Sequence, residues 1–179
     1  MRRVSLVGNT GSGKSTVAVA LAFRLGVPCL ELDAVFHQPG WTELAREEFR
    51  ARVADAAAGD AWVIDGNYGA VRDLVWARAD TVVWLDLSRP AVMRRVVSRT
   101  VRRAARCQEL WNGNREPWSN FWSLDPQRSI IVWAWTQHRR YRARYEAAMA
   151  DPAWGHLRFV RLRSAADVRR FLSSDELRG

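Results

Sequence analysis

Lysine is nearly absent from this sequence. Of its 28 basic residues, 27 are arginine, and the single lysine is Lys14. Cysteine is also scarce, because only Cys29 and Cys107 occur among 179 residues. Their separation matches no zinc-ligand spacing, and two cysteines in a chain of this kind favour buried thiols over a disulfide bridge. The sequence therefore excludes a cysteine-ligated metal centre and a disulfide-rich scaffold.

Long apolar runs are missing as well. No stretch approaches the roughly 18 uninterrupted apolar residues that a membrane-spanning helix needs. The sequence opens on a strand-like run from Arg2 to Val7, without a charged-then-apolar leader in front of it. We therefore expect a soluble, cytoplasmic protein that binds no membrane. With 48% hydrophobic residues, the chain can form one compact α/β domain with a substantial core, and we expect a monomer.

The run from Gly8 to Ser15 matches the phosphate-binding loop, or P-loop: Gly, four residues, Gly, Lys, and Ser or Thr. Glycines let backbone amides turn toward one phosphate, Lys14 supplies a cation, and the Ser15 hydroxyl suits Mg²⁺. Val17, Leu21 and Leu25 recur at helical spacing after the loop, which completes the strand–loop–helix context. We therefore predict an ATP site formed by Gly8, Asn9, Thr10, Gly11, Ser12, Gly13, Lys14, Ser15 and Thr16.

Acidic residues follow three further strand-like runs. The run from Trp62 to Asp65 ends in an acid before a glycine turn, which favours Asp65 as the residue that holds Mg²⁺ with Ser15. Asp86, near the end of the run from Thr81 to Leu87, is the alternative metal acid. A purely structural Asp-Gly turn would give the same pattern at Asp65.

The run from Cys29 to Asp33 reads as a second strand, with Glu31 and Asp33 on one face. Ligands of open parallel sheets bind at the carboxyl edge, so Asp33 is a candidate for contacting the substrate that accepts a phosphoryl group. A helix or turn cap is the structural alternative for Asp33. A solvated or arginine-paired role is as consistent with Glu31, and His37 is a lone loop histidine that also suits an ordinary surface position.

Positive charge is concentrated in one segment. The net charge is +9 and the isoelectric point is about 11.0, but residues 89–144 alone carry an excess of +10. A predicted helix starts at Ser88-Arg89-Pro90 and places arginines at three- and four-residue intervals: Arg95, Arg99, Arg102, Arg103 and Arg106. Like charges at this spacing repel, which indicates an anionic ligand such as a transferring phosphoryl group. A solvated basic face is the alternative.

Residues 107–128 follow no regular pattern, and we predict a lid over a bound nucleotide at about residues 103–128. Five of the ten tryptophans lie between Trp111 and Trp135. Aromatic rings interleaved with arginines suit stacking on a base, although packing of a small lid would use the same residues.

The order of these motifs resembles the nucleoside monophosphate kinase group, which includes adenylate kinase. The P-loop and the runs Leu32 to Trp41, Trp62 to Tyr68 and Arg99 to Glu116 are more specifically similar to the small P-loop kinases known as DNA topology modulation proteins. The resemblance implies a three-layer α/β P-loop NTPase fold: a five-stranded parallel sheet of order 2-3-1-4-5, with helices on both faces and a helical lid.

The resemblance also bears on the site residues. Asp65-Gly66 takes the place of the Asp-Gly pair near Mg²⁺ in adenylate kinase, but Asn67-Tyr68-Gly69 replaces the aromatic residue, Pro and Arg that follow there. Asp33 is similar to the acceptor-contacting aspartate of shikimate kinase, whose acceptor is a hydroxyl.

From these observations we predict an ATP-dependent kinase that transfers the γ-phosphoryl group to a nucleotide or a small hydroxyl compound. The predicted catalytic residues are Lys14, Asp33, Arg99, Arg103 and Arg106, and Ser15 and Asp65 are the predicted Mg²⁺ ligands. The alternative is a nucleic-acid-associated ATP-binding protein whose basic, tryptophan-rich segment grips DNA.

Overall fold

The computed structural model describes residues 1–105, 111–114, 129–174 and 177, but not the side chains of residues 103–105. Strands and helices alternate along most of this part of the chain. The strands are β1 (Arg3–Gly8), β2 (Cys29–Glu31), β3 (Trp62–Asp65), β4 (Thr81–Leu85) and β5 (Arg158–Leu162). The helices are α1 (Lys14–Leu25), α2 (Leu32–Phe36), α3 (Arg46–Ala57), α4 (Arg72–Arg78), α5 (Arg89–Ala105), α6 (Ile130–Ala150) and α7 (Ala165–Ser173).

All five strands are parallel and form one sheet in the order β2-β3-β1-β4-β5, which confirms the predicted order. The side chains of β3 and β4 are buried throughout, as expected for central strands that helices cover on both faces. The P-loop strand β1 lies at the centre, so its carboxyl end is flanked by those of β3 and β4. The loop therefore leaves the sheet where the strand order reverses, the usual ligand site of such sheets.

The sheet separates two apolar cores, which gives the predicted three layers. On one face α1 and α7 pack through residues such as Leu21 and Phe171, and on the other α3, α4 and α6 pack through Phe49, Val75 and Tyr145. Along β1, Val4 and Leu6 belong to the first core and Val7 to the second, as the alternation of a strand requires. A smaller cluster that includes Val96 and Ala134 joins α5 to α6.

Helix ends follow ordinary capping chemistry. Ser164 and Asp167 form a capping box at the start of α7, and the Ser129 hydroxyl accepts a hydrogen bond at the start of α6. Gly26 ends α1 in the left-handed conformation. No helix in the described ranges is both long enough and apolar enough to cross a bilayer.

Two sequence predictions near β2 are wrong. The strand ends at Glu31, and Leu32–Phe36 is a helix, so Glu31 and Asp33 do not share a strand face. The reason is that Leu32, Val35 and Phe36 pack inward at helical spacing. Cys29 is not a buried thiol but an exposed residue of the sheet edge.

Candidate functional site

The P-loop connects β1 to α1 as predicted. Gly8, Gly11 and Gly13 have φ of 148°, 77° and 92°, conformations that L side chains rarely adopt. Space also restricts these positions, because a Cβ atom at Gly11 would lie 2.2 Å from Val96 Cγ2 of α5. Gly13 is the N-cap of α1, so the positive end of the helix dipole faces the loop. This is the geometry of an anion cradle.

Two asparagine side chains fasten the loop to the rest of the domain. Asn9 Nδ2 donates to the carbonyl oxygen of Ala134 in α6 at 2.8 Å, and Asn9 Oδ1 accepts the amide of Thr10. Asn67, in the turn after β3, hydrogen-bonds both the amide and the carbonyl of Gly8. The start of the loop is thereby anchored to β3 and to α6.

Ser15, Asp65 and Glu31 meet at the start of α1. Ser15 Oγ lies 2.8 Å from Asp65 Oδ2 and 2.6 Å from Glu31 Oε1, and its hydroxyl proton is available to one carboxylate at a time. Lys14 Nζ donates to the carbonyl oxygen of Asn9 at 3.3 Å, so the lysine side chain folds back along the loop. The structure thus brings together the predicted phosphate and metal residues and adds Glu31.

The surroundings of Asp65 shift the pKa of its carboxyl group. Asp65 is 3% exposed, and burial raises its pKa to about 6, although the Lys14 cation and the Ser15 hydrogen bond act in the opposite direction. The negative charges of Glu31 and Asp33 act in the same direction as burial and contribute to this raised pKa.

The residues present at this point fit a divalent cation. Asp65 Oδ1 is buried and has no hydrogen-bond partner in the described part of the chain. A buried carboxylate oxygen without a hydrogen-bond donor is unfavourable unless a cation binds it. Mg²⁺ is held in such sites by one or two protein oxygens, with phosphate and water as the other ligands.

Asp33 lies in the first turn of α2, on the side of the site away from β1 and β4. The Tyr68 hydroxyl donates to Asp33 Oδ1 at 2.6 Å and lies 3.5 Å from His37 Nε2. Phe36 packs against the Tyr68 ring with a centroid distance of 4.8 Å. Asp33 is therefore bound by a tyrosine that belongs to a cluster of aromatic rings.

Residues 111–114 lie over this aromatic region. Trp111 Nε1 donates to Glu31 Oε2 at 2.9 Å, and its ring stacks on His37 with a centroid distance of 6.1 Å. Asn112 Nδ2 donates to the carbonyl oxygen of His37, and Asn114 Oδ1 accepts the amide of Trp41. The Trp111–Asn114 segment thus contacts the segment from Glu31 to Trp41 through three side chains.

The arginines of α5 divide between the site and the surface. Arg95 Nη1 donates to the carbonyl oxygen of Ser12 in the P-loop at 2.9 Å. Arg99 follows one turn later and is partly buried, while Arg102 is exposed. The side chain of Arg103 and all of Arg106 lie outside the described residues, as do residues 106–110 and 115–128 of the predicted lid.

Asp86, the alternative metal acid, is engaged elsewhere. Its Oδ2 lies 2.6 Å from Arg161 Nη2 of β5, and Arg142 Nε lies 3.7 Å away. Asp65 contacts Ser15 directly, so the geometry favours Asp65 as the metal acid.

Sequence reasoning missed several contributors to the site. Arg95 was recognised as one of a row but not as the arginine on the P-loop, and Glu31 was not selected as a metal-site residue. Asn67 and Tyr68 belong to the glycine turn that follows Asp65, and no role is predicted for them from the sequence. Their position immediately after that acid was the available signal.

No protein-family model matches the chain. A shikimate kinase from Synechococcus sp. is 32% identical over 111 residues, which cover 51% of this chain and 54% of that protein. A shikimate kinase from Symbiobacterium thermophilum is 38% identical over 99 residues, or 46% of this chain and 56% of that protein. The chain thus spans about half the length of the curated relatives it matches.

Solved structures resemble the whole fold at low identity. A shikimate kinase from Bacteroides thetaiotaomicron has a TM-score of 0.58 at 17% identity, and the match covers 98% of this chain and 97% of the other. A shikimate kinase from Acinetobacter baumannii in complex with shikimate has a TM-score of 0.54 at 15% identity, covering 96% and 89%. A gluconokinase from Sinorhizobium meliloti has a TM-score of 0.50 at 18% identity, covering 99% and 97%. The chain therefore has the α/β fold of small P-loop kinases.

Proposed function

We propose that this protein is an ATP-dependent kinase that phosphorylates a hydroxyl group of a small molecule. The observation that carries the proposal is the 2.8 Å contact between Ser15 Oγ and Asp65 Oδ2. Ser15 directly follows Lys14, the only lysine of the chain. A hydroxyl and a buried carboxylate beside a P-loop lysine are the ligands that a Mg²⁺–nucleotide complex requires. We also propose a cytoplasmic location, because an ATP-dependent kinase needs a supply of ATP.

Each site residue has a role in this proposal. The P-loop amides and Lys14 bind the ATP phosphates, and Ser15, Asp65 and Glu31 hold Mg²⁺ directly or through its water. Bound Mg²⁺ would neutralise phosphate charge during transfer. In this proposal Arg99, Arg103 and Arg106 would stabilise the charge of the transferring phosphoryl group.

Asp33 is the proposed contact for the acceptor. It follows Glu31 by two residues, and Glu31 Oε1 lies 2.6 Å from Ser15 Oγ, so a hydroxyl bound to Asp33 would lie near the metal and the γ-phosphate. A carboxylate can orient a hydroxyl and accept its proton as the oxygen attacks phosphorus. The shikimate kinase relatives support a hydroxyl acceptor over the nucleotide acceptor of adenylate kinase.

A screen of MgATP against small hydroxyl compounds tests the proposal. Shikimate and gluconate represent the acceptors that the names of the similar proteins suggest, and AMP represents a nucleotide acceptor. We expect ADP release above the rate with water for at least one hydroxyl compound, with a phosphate ester visible by phosphorus NMR. Absence of MgADP binding together with absence of ADP release from every mixture would refute the proposal.

Lys14→Ala makes the test specific to the P-loop. Removal of this cation should lower kcat/KM for MgATP by about 10²-fold or more, because it deletes a charge that stabilises the transition state. Arg24→Ala is the matched control, since it removes an exposed cation from the last turn of the same helix. Equal activity of the Lys14 and Arg24 variants would contradict the assigned role.

A nucleic-acid-associated ATP-binding protein is the second candidate, in keeping with the resemblance to DNA topology modulation proteins. Exposed arginines on α5 and α6 favour it: Arg94, Arg102, Arg139 and Arg140. Duplex DNA binding that persists without ATP and falls steeply with log salt concentration would support this candidate. A kinase without this function would show no duplex binding at physiological salt.

A further inference from the structure

The turn after β3 contacts three separate parts of the site through consecutive residues. Asp65 contacts Ser15 at the start of α1, Asn67 contacts Gly8 at the start of the P-loop, and Tyr68 contacts Asp33 in α2. The turn itself is held by the amide of Gly66, which donates to the carbonyl oxygen of Leu6 at 3.2 Å. One short segment therefore contacts a residue of the proposed metal site, a residue of the P-loop and the proposed acceptor contact.

Asn67 fixes the peptide groups of Gly8 from both sides. Its Oδ1 accepts the Gly8 amide at 3.0 Å, and its Nδ2 donates to the Gly8 carbonyl oxygen at 2.5 Å. The hydroxyl of Tyr145, which is 2% exposed, donates to the same Oδ1 at 2.9 Å. Gly8 cannot be replaced by a bulkier residue here, because a Cβ atom would lie 2.7 Å from the carbonyl oxygen of Leu85. The direction of the loop amides that follow Gly8 thus depends on Asn67.

Tyr68 holds the carboxylate of Asp33, the proposed contact for the acceptor. Its hydroxyl donates to Asp33 Oδ1 at 2.6 Å, and its ring is fixed by Phe36 and by Phe49, with a centroid distance of 5.1 Å to the latter. Among the described residues, no hydrogen bond reaches Asp33 Oδ2. The tyrosine therefore occupies one carboxylate oxygen and leaves the second for another donor.

We propose that Asn67 and Tyr68 are positioning residues with separate duties: Asn67 orients the P-loop for the nucleotide, and Tyr68 orients Asp33 for the acceptor hydroxyl. This inference rests on the proposed kinase function. It predicts that neighbouring residues of one turn have different kinetic signatures, which a general loss of packing would not produce. Water serves as the acceptor in the test, so no substrate needs to be known.

Two tyrosine variants provide a matched comparison. Tyr145→Phe and Tyr68→Phe each remove one hydroxyl from this hydrogen-bonded cluster, and both keep the ring. MgADP affinity is measured by calorimetry, and MgATP hydrolysis by steady-state kinetics, on variants whose thermal unfolding stays cooperative. One hydrogen bond corresponds to about a 3- to 10-fold change.

The two tyrosine variants should change different constants. Tyr145→Phe, and more strongly Asn67→Ala, should weaken MgADP binding and raise KM for MgATP about 3- to 10-fold. Tyr68→Phe should leave both constants within twofold of wild type and lower kcat about 3- to 10-fold. If both tyrosine variants change the same constants by the same factor, the division of duties is wrong although the kinase function stands.

A double variant tests whether Tyr68 acts through Asp33. In Asp33→Ala, the further change Tyr68→Phe should alter kcat by less than twofold, because the oxygen that accepts the Tyr68 hydroxyl proton is already lost. A full additional 3- to 10-fold decrease would mean that Tyr68 acts on something else, which overturns its assignment. If the wild-type protein fails to bind MgADP at all, the proposed function fails first and this inference with it.

Discussion

Asp65 illustrates the conflict between burial and charge in this site. It is 3% exposed, and burial raises its pKa from 3.8 to about 6. An acid with a higher pKa in the folded state than in the unfolded state binds more protons when folded between those two values. Stability of the metal-free protein therefore decreases as pH rises from about 4 to 6. A bound cation would favour the ionised form and oppose this loss.

Asp65→Asn should remove this part of the pH dependence. With EDTA present, the variant should lose less unfolding free energy than wild type between pH 4 and pH 6, by up to about 3 kcal/mol for a shift of about two pKa units. Denaturant titrations at several pH values measure the difference.

Asp73→Asn is the control for this experiment. The hydrogen bond from Arg50 lowers the pKa of Asp73, so its contribution to stability is lost only as pH falls below about 4. This variant should retain the wild-type decrease between pH 4 and pH 6. A parallel decrease in Asp65→Asn would show that Asp65 is not responsible.

Single residues were predictable where the signal is local. Lys14 and Ser15 belong to one continuous motif, and Asp65 ends a strand-like run before a glycine. The bond from Trp111 to Glu31 joins residues 80 positions apart, and that from Arg95 to Ser12 spans 83 positions. No periodicity or spacing rule encodes such a pair, so these contacts became visible only in the folded chain.

Packing of α5 against the P-loop depends on the absence of a side chain at Gly11. A Cβ atom there would lie 2.2 Å from Val96 Cγ2 and 3.1 Å from the Val92 carbonyl oxygen. The helix that carries Arg95 and Arg99 is therefore seated directly on the loop. Any group added at Gly11 must displace the helix or the loop.

Gly11→Ala should destabilise the protein more than Gly26→Ala. Both glycines have positive φ, of 77° and 64°, so both variants lose about 1 kcal/mol to backbone strain. Nothing lies within 4 Å of a Cβ atom at Gly26, whereas Gly11 adds overpacking, which costs about 1–3 kcal/mol. Chemical denaturation measures the difference between the two variants. Equal destabilisation would contradict the contact with Val96, and Val96→Ala should restore part of the loss.

Helices and strands with strong patterns were predicted more accurately than short ones. The P-loop strand and β3 were confirmed, because a short apolar run identifies each. The end of the second strand was predicted wrongly, because Cys29–Glu31 is only three residues long and pairs with β3 alone. The residues that follow it, such as Leu32 and Phe36, are apolar and would suit a strand or a helix. Packing against the core selects the helix.

Binding of nucleotide should stabilise the entire chain, because the cradle joins distant segments. Gly8 is tied to the turn after β3, Asn9 to α6 and Ser12 to α5. A ligand that binds only this arrangement must be released before the chain unfolds. Its binding energy therefore adds to the stability of all three connections at once.

MgADP at 100 times its dissociation constant should raise Tm by about 5–10 °C. That concentration adds about 2.7 kcal/mol to the unfolding free energy, and each kcal/mol shifts Tm by about 2–4 °C in a chain of this size. The same ADP concentration with EDTA should give a smaller shift, since Ser15 and Asp65 then lack the metal. Lys14→Ala should give a smaller shift as well, because the phosphates lose their lysine. Scanning calorimetry checks all three, and an equal shift with EDTA would contradict the metal role of Ser15 and Asp65 while leaving the phosphate cradle intact.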